Sequence, residues 1–144
     1  MVNAQVLKDH ASKYKLGRDN AAEYFRQLFT KHPELAKYYD AEDLDPDSLH
    51  KSQKFMMQGM QEMQIFFRLP DAIDDEKKLR SCLGDFKNIY EDNSFPIAEW
   101  GKTIDGFLAA MEKCAGGVSA DQKKNWEEVW KKSMEEMKKW GWFK

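Results

Sequence analysis

The sequence predicts a single domain built only from α-helices. Apolar residues recur at spacings of three and four along most of the 144-residue chain, which is the period of one buried helix face. No segment shows the alternation of apolar and polar residues that indicates a half-buried strand. No linker, repeat or low-complexity tract divides the chain, so residues 1–144 are expected to form one domain with a core several helices deep.

The first predicted helices lie between residues 3 and 39. One helix covers residues 3–15 and ends before Gly17. A second helix begins at Asn20, because Asn20 and Glu23 have the spacing of a capping box. Pro33 then starts a further helical turn. The residues expected to point inward are Leu7, Ala11, Tyr14, Phe25, Leu28 and Phe29.

An acidic loop and a long helix follow. Residues 40–48, "DAEDLDPDS", are predicted to form a loop because their charges repel and Pro46 cannot donate a hydrogen bond. Residues 49–69 are predicted to form a helix that Pro70 ends. Its apolar residues are Phe55, Met56, Gly59, Met60, Met63, Phe66 and Phe67. So many methionines fit either an adaptable binding surface or the filling of an irregular core.

Three more helices complete the prediction. Residues 71–93 carry an inward stripe, and a turn is expected between Tyr90 and Pro96. Pro96 starts a helix that the glycines of 115–117 stop, and Ser119 starts the last helix with Gln122 completing a capping box. The inward residues are Leu79, Cys82, Leu83, Phe86, Tyr90, Trp100, Ile104, Phe107, Leu108, Met111, Trp126, Val129, Trp130, Met134 and Met137.

Composition and charge restrict the classes of partner. The formal net charge is −2 and the sequence pI is about 5.9, which is not the electrostatic signature of a protein that binds nucleic acid or anionic membranes. No apolar stretch approaches the roughly 18 residues of a membrane span, so we expect a cytoplasmic protein, although a leader removed after export would leave no trace. Cys82 and Cys114 are expected to be small buried residues rather than a disulfide.

Side-chain catalysis is not expected. The chain has only three histidines, His10, His32 and His50, and none has a glutamate at the spacing used by helical di-iron sites. Motifs for zinc proteases, serine hydrolases and phosphate-binding loops are also missing. The sequence therefore predicts neither an enzyme nor a metal site made of side chains alone.

Four segments together resemble the globin family, most closely the nematode intracellular and body-wall globins. They are "YFRQLFTKHPELAKYY", "HKSQKFMMQGMQ", "PIAEW" and "SADQKKNW". The resemblance covers residues 20–140 without insertion or deletion. It implies a globin fold of seven to eight helices, and in ordinary members of the family this fold holds haem.

The resemblance assigns roles to five positions. Phe25 matches a distal tyrosine, Tyr39 matches the phenylalanine that wedges against haem, and Gln58 matches the distal glutamine that binds oxygen. Two departures lie on the axis of the iron ligands: Glu62 replaces an aliphatic side chain and Tyr90 replaces the proximal histidine. Indeed, no histidine follows His50.

The helical period gives a physical reason to examine Glu62. Gln58 and Glu62 are four residues apart and share a helix face. The same face contains Phe55, Gly59 and Phe66. Glu62 is therefore expected to point inward, where an unpaired carboxylate costs several kcal/mol, unless the helix is rotated so that Glu62 faces solvent. We predict that Tyr90, on the opposite stripe, satisfies Glu62 directly or through water.

Two hypotheses remain open from the sequence. In the first, the protein lacks haem and binds a partner protein or a small apolar ligand. In the second, Tyr90 holds haem iron as a tyrosinate, which favours redox sensing or peroxide chemistry over oxygen transport. The aromatic tail "KKWGWFK" is expected either to fold back or to contact a partner or twin subunit, giving a homodimer. The predicted pocket residues are Phe25, Tyr39, Phe55, Gln58, Glu62, Phe66, Phe86, Tyr90 and Trp100.

Overall fold

Helices account for all regular secondary structure in the described part of the chain. The structure, a computed structural model, describes residues 2–90 and 95–143. Within these residues there is no strand, which confirms the predicted all-α class. The α-helices are α1 (Ala4–Ser12), α2 (Glu23–Lys31), α3 (Gln53–Ala72), α4 (Glu76–Ile89), α5 (Ile97–Gly101), α6 (Thr103–Cys114) and α7 (Ala120–Trp140), and two 3₁₀ segments cover Pro33–Tyr39 and Pro46–Lys51. The turn expected between Tyr90 and Pro96 falls mostly on residues 91–94, outside the described residues.

The predicted capping box at the start of α2 is wrong. Asn20 instead organises the preceding turn: its side-chain oxygen accepts from the Gly17 N–H at 2.9 Å and its amide donates to the Lys15 carbonyl at 2.8 Å. The helix begins after Ala22, without a side-chain cap. Asparagine can bond nearby backbone in a turn as readily as at a helix end, so the sequence spacing did not distinguish the two.

Both predicted ends of the long helix are shifted toward the C-terminus. The residues before Ser52 form the second 3₁₀ segment, which Asp45 caps, so a short helix occupies part of the predicted loop. Ser52 then caps α3 by accepting from the Phe55 N–H. Pro70 lies inside α3 instead of ending it. In the last helical turn a proline removes only one hydrogen bond, so the helix continues through Pro70.

The single helix predicted after Pro96 is divided at Lys102 into α5 and α6. The Thr103 hydroxyl lies at this break, where it donates to the Trp100 carbonyl at 2.5 Å and accepts from the Trp130 indole N–H at 3.0 Å. A threonine that bonds local backbone offers an alternative to the regular helical pattern. The capping box predicted at Ser119 and Gln122 is confirmed in both of its hydrogen bonds.

Two glycines, Gly59 and Gly106, let their helices approach neighbouring segments of the chain closely. A Cβ added at Gly59 of α3 would lie 1.9 Å from the Ala21 carbonyl oxygen. A Cβ added at Gly106 of α6 would lie 2.7 Å from the Leu28 Cβ. These contacts bring α3 and α6 against the region of α2, so the side chains of α2 and α3 share one core.

Two other sequence predictions concern cysteines and membrane spans. Cys82 is buried, Cys114 is partly buried, and both thiols are free. Among the helices of the described residues, none combines the length and apolar character needed to cross a membrane.

Candidate functional site

Glu62 and Tyr90 meet where the C-terminal end of α4 approaches the middle of α3. Glu62 lies in the middle of α3 and Tyr90 is the residue that ends α4. Their exposed fractions are 0% and 2%. The Tyr90 hydroxyl donates a hydrogen bond to Glu62 Oε1, which confirms the predicted contact and shows that α3 turns Glu62 inward rather than toward solvent.

Two more phenols surround the same carboxyl group. Tyr24 of α2 and Tyr39 of the first 3₁₀ segment are buried, and burial, followed by the charge of Glu62, raises the pKa of each well above its ordinary value. The Tyr24 hydroxyl faces Glu62 without completing a hydrogen bond of good geometry. Among the described residues, the hydroxyls of Tyr24 and Tyr39 and the Oε2 atom of Glu62 have no hydrogen-bond partner.

Burial decides the protonation state of this cluster. Removal from water raises the pKa of Glu62 to about 8, although its contacts with the Tyr90 and Tyr24 hydroxyls oppose the rise. Burial, followed by the charge of Glu62, also raises the pKa of Tyr90 well above its ordinary value. At neutral pH the cluster therefore consists mainly of a carboxylic acid and neutral phenols. It offers hydrogen-bond donors, and it offers neither a strong general base nor a phenolate.

Aromatic rings from α2, α3, α4 and the first 3₁₀ segment surround Glu62 and Tyr90. Tyr90 contacts the rings of Tyr39 and Phe86, with centroids 5.0 and 4.9 Å apart. Phe25 contacts Tyr39 at 5.1 Å and Phe55 at 5.2 Å. A planar group inserted between two side chains must hold them about 7 Å apart, twice the contact distance of carbon atoms. The direct contacts therefore leave no layer for such a group between Glu62 and Tyr90.

The predicted pocket residues occupy this site to different degrees. Eight of the nine are buried: Phe25, Tyr39, Phe55, Glu62, Phe66, Phe86, Tyr90 and Trp100. Trp100 lies behind Phe86, with ring centroids 6.1 Å apart, and stacks on Trp130 at 5.6 Å. Gln58 is only partly buried, and its side-chain oxygen has no partner among the described residues. The structure thus joins most of the set around Glu62 and Tyr90, and it leaves the role predicted for Gln58 untested.

Three aromatic residues of the site were missed by the sequence analysis. Tyr24 could have been found, because it is four residues before the inward Leu28. Phe95 contacts Tyr90 at 5.5 Å and Tyr39 at 5.9 Å, but it belongs to no predicted helix. Phe143 packs on Phe86 and Phe95, at 5.9 and 6.2 Å.

The aromatic tail folds back onto α4, which is one of the two arrangements expected from the sequence. Gly141, in the left-handed conformation with φ of 75°, ends α7 and reverses the chain. Trp142 then lies against the cationic groups of Arg80 and Lys87, which are 5.4 and 5.2 Å from its ring centre. The Phe143 carbonyl accepts from the Ile97 N–H at 2.6 Å. The tail therefore closes the site on the side of α4.

The described residues contain no group of three or more histidine, cysteine, aspartate or glutamate side chains placed to hold a metal ion. The family model described as Globin matches residues 22–137. No curated protein and no solved structure matches the chain significantly.

Proposed function

Because the chain belongs to the globin family, we propose that it is a globin-like protein that works without haem and binds another protein through its surface. The hydrogen bond between Tyr90 and Glu62 is the observation that carries this proposal. In this fold, haem would lie between α3 and α4, where these two side chains touch. The site residues do not fit haem, because the porphyrin would have to break the hydrogen bond and separate rings that are in contact.

The chemistry of the site also disfavours ligation of iron by Tyr90. A tyrosinate ligand requires loss of the phenol proton. Burial and the neighbouring Glu62 raise the pKa of Tyr90 and so oppose that loss. The tyrosinate alternative therefore needs both a rearranged core and an ionised phenol.

A partner on the surface is favoured over a small apolar ligand in the interior. The rings of Tyr39 and Phe86 contact Tyr90 directly. Phe25 packs against Tyr39 and Phe55 in the next layer. An apolar ligand would have to displace these contacts, whereas a protein partner would leave them intact. With its interior filled in this way, the chain serves as a scaffold whose specificity lies on its outer faces.

Absorption spectroscopy with added hemin tests the proposal. We expect the purified protein to show no Soret band and no saturable change in the hemin spectrum. A haem-binding globin, freed of its haem and treated in the same way, shows that the hemin is competent. The Tyr90→Phe variant is the matched comparison: a stoichiometric Soret band in the wild-type protein that this variant loses would establish tyrosinate ligation and overturn the proposal. A band that both proteins retain would overturn it too, and would place the iron on another ligand.

A further inference from the structure

The outer face of α3 lacks charge over almost four turns. Between Lys54 and Arg68 the only ionisable residue is Glu62, and its side chain is buried. The side chains exposed in this interval are Met57, Gln61 and Gln64. Charged residues make up 33% of the chain, so a neutral surface of this length is unusual for this molecule.

Apolar and amide side chains on this face follow the spacing of a helix-packing seam. Met57, Met60, Gln64 and Phe67 are separated by three, four and three residues, which is the repeat of two helices that pack side by side. Met57 is 57% exposed, and Leu44 is the other exposed large apolar side chain among the described residues. Met60 and Phe67 are partly buried. The methionines of this helix thus do not line one interior cavity, because Met57 projects into solvent.

A groove of about 690 Å³ runs beside the seam, between α3 and α4. Ile65 and Ile89 contribute apolar surface to it, and Gln61 and Gln64 contribute amides. Its one pair of opposite charges is already matched, because Arg68 bonds Asp85 at 2.8 Å. The groove can therefore receive an apolar side chain without leaving a charge unpaired.

We propose that this α3 face, formed by Met57, Met60, Gln61 and Gln64 with the adjoining groove, binds the same face of a second copy of the chain. A twofold axis between Met60 and Gln61 places the two α3 helices antiparallel. Met57 and Gln64 are seven residues apart, about 10 Å along the helix. Each Met57 would then enter the groove of the other copy beside its Gln64.

Charge complementarity selects a second copy as the occupant. A face without charge pairs best with another neutral face, since a charged partner would lose hydration without gaining an ion pair. Glutamine amides both donate and accept hydrogen bonds, so the same group on two copies satisfies itself across the axis. Such self-complementarity is the requirement for a twofold homodimer. The net charge of −2 per copy adds little repulsion.

Sedimentation equilibrium over a range of protein concentrations tests this proposal. We expect the wild-type chain to form a reversible dimer, and we expect Met57→Lys to raise the dissociation constant at least tenfold because each dimer would bury two lysines. Leu44→Lys is the matched control, since Leu44 is the other exposed large apolar residue, at 46%, and lies in the acidic segment before α3. It should change the constant less than twofold. A wild-type chain that stays monomeric, or equal effects of the two substitutions, would overturn the proposal.

A charge-reversal pair tests the antiparallel arrangement. Adding Gln64→Glu to Met57→Lys places a carboxylate opposite each lysine and should recover most of the lost affinity, whereas a parallel or unrelated interface would show no recovery. Urea unfolding of every variant, at protein concentrations low enough for all of them to be monomeric, should match the wild type, because these side chains are exposed and dimerisation then adds no stability. This inference rests on the proposed function in one respect, because it names the surface through which the proposed partner binding takes place. Hemin absorbance reports on the haem-free proposal separately, so each can fail alone.

Discussion

Tyr90, the residue directly after α4, donates a hydrogen bond to Glu62, in the middle of α3, and both side chains are buried. This bond ties α3 to the end of α4 inside the aromatic cluster. It also leaves a carboxyl group in an aromatic core, where its proton is part of the stability of the protein. The first two predictions follow from this pair.

The contribution of Glu62 to the stability of the protein should fall as the pH rises from 5 to 9. The folded pKa of Glu62, about 8, is above its ordinary value of 4.5. A raised folded pKa gives stabilisation that is complete below the unfolded pKa and is lost as the pH rises through the folded pKa. The loss should amount to several kcal/mol, since each pKa unit corresponds to about 1.4 kcal/mol. Urea unfolding at successive pH values measures it.

Glu62→Gln should remove this pH dependence, because an amide of nearly the same shape does not ionise. Glu127→Gln is the control, since it changes an exposed carboxylate of α7. The control should keep the wild-type profile. If wild type and Glu62→Gln have parallel profiles, Glu62 does not titrate in this range.

Tyr90→Phe should destabilise the protein by about 1–3 kcal/mol, which is the cost of leaving a buried polar group without its partner. The double variant Tyr90→Phe/Glu62→Leu should be more stable than Tyr90→Phe alone, because it removes both polar groups. Denaturant unfolding at pH 6 measures the wild type, Tyr90→Phe, Glu62→Leu and the double variant while Glu62 is protonated. Additive effects of the two substitutions would mean that the two groups do not interact.

Two glycines inside helices should respond in opposite ways to alanine. Gly59→Ala should destabilise the fold by at least about 3 kcal/mol, because its Cβ would overlap the Ala21 carbonyl oxygen at 1.9 Å and backbone cannot move aside cheaply. At Gly84, a Cβ would be 3.8 Å from the Trp142 ring, an ordinary contact. Gly84→Ala should therefore stabilise by about 0.4–1 kcal/mol. Thermal and urea unfolding of the pair test this, and a tolerated alanine at position 59 would contradict the close approach.

His10 should produce a loss of stability on the acidic side. It is fully buried, its Nδ1 accepts from the Trp126 indole N–H at 3.0 Å, and its Nε2–H donates to the Gly117 carbonyl at 2.9 Å. These partners fix the neutral tautomer, and burial lowers the pKa of His10. A lowered folded pKa gives stabilisation that is present above the unfolded pKa of about 6.5 and is lost as the pH falls through the folded pKa.

The effect of His10 is best measured in the Glu62→Gln variant. In the wild type, the contribution of Glu62 to stability increases as the pH falls and would mask the decrease caused by His10. In the Glu62→Gln variant, unfolding free energies should decrease from pH 7 toward pH 4, and His10→Gln should flatten the decrease. His50→Gln, at an exposed histidine, should leave it in place. If the unfolding free energy changes equally with pH in the presence and absence of His10, other groups cause the loss of stability at acidic pH.

Ending the chain after Trp140 should lower stability by about 2 kcal/mol, because Phe143 packs on Phe86 and Phe95 and Trp142 packs on α4. The sedimentation mass should match that of the full chain at each concentration, since the tail folds back instead of facing a partner. If the truncated chain no longer self-associates, the tail and not the α3 face forms the contact between copies.

Much of the fold and the central pair could be predicted from local patterns. Leu79, Phe86 and Tyr90 share an inward stripe because the helical period fixes which residues lie on one face. The same period places Glu62 among the apolar residues of α3. Ser119 and Gln122 form their capping box because its contacts span only a few residues.

Other features depend on contacts between distant parts of the chain. The helix predicted after Pro96 is divided before Thr103, whose hydroxyl accepts a hydrogen bond from the Trp130 indole of α7. Tyr24 and Phe95 reach the central cluster only because α2, α4 and the segment before α5 are brought together. The inward direction of Tyr24 could be predicted from its spacing to Leu28, but its meeting with Glu62, the place of Phe95 and the bond between Thr103 and Trp130 have no short-range signature.

The sequence by itself determined that an acid would face inward on one helix and a phenol on another, because side-chain direction follows from helical period alone. Only the tertiary structure decided that the two meet without an intervening layer. Their separation depends on how closely α3 and α4 approach and on the volume of the rings between the helices, and both are set by packing across the whole domain.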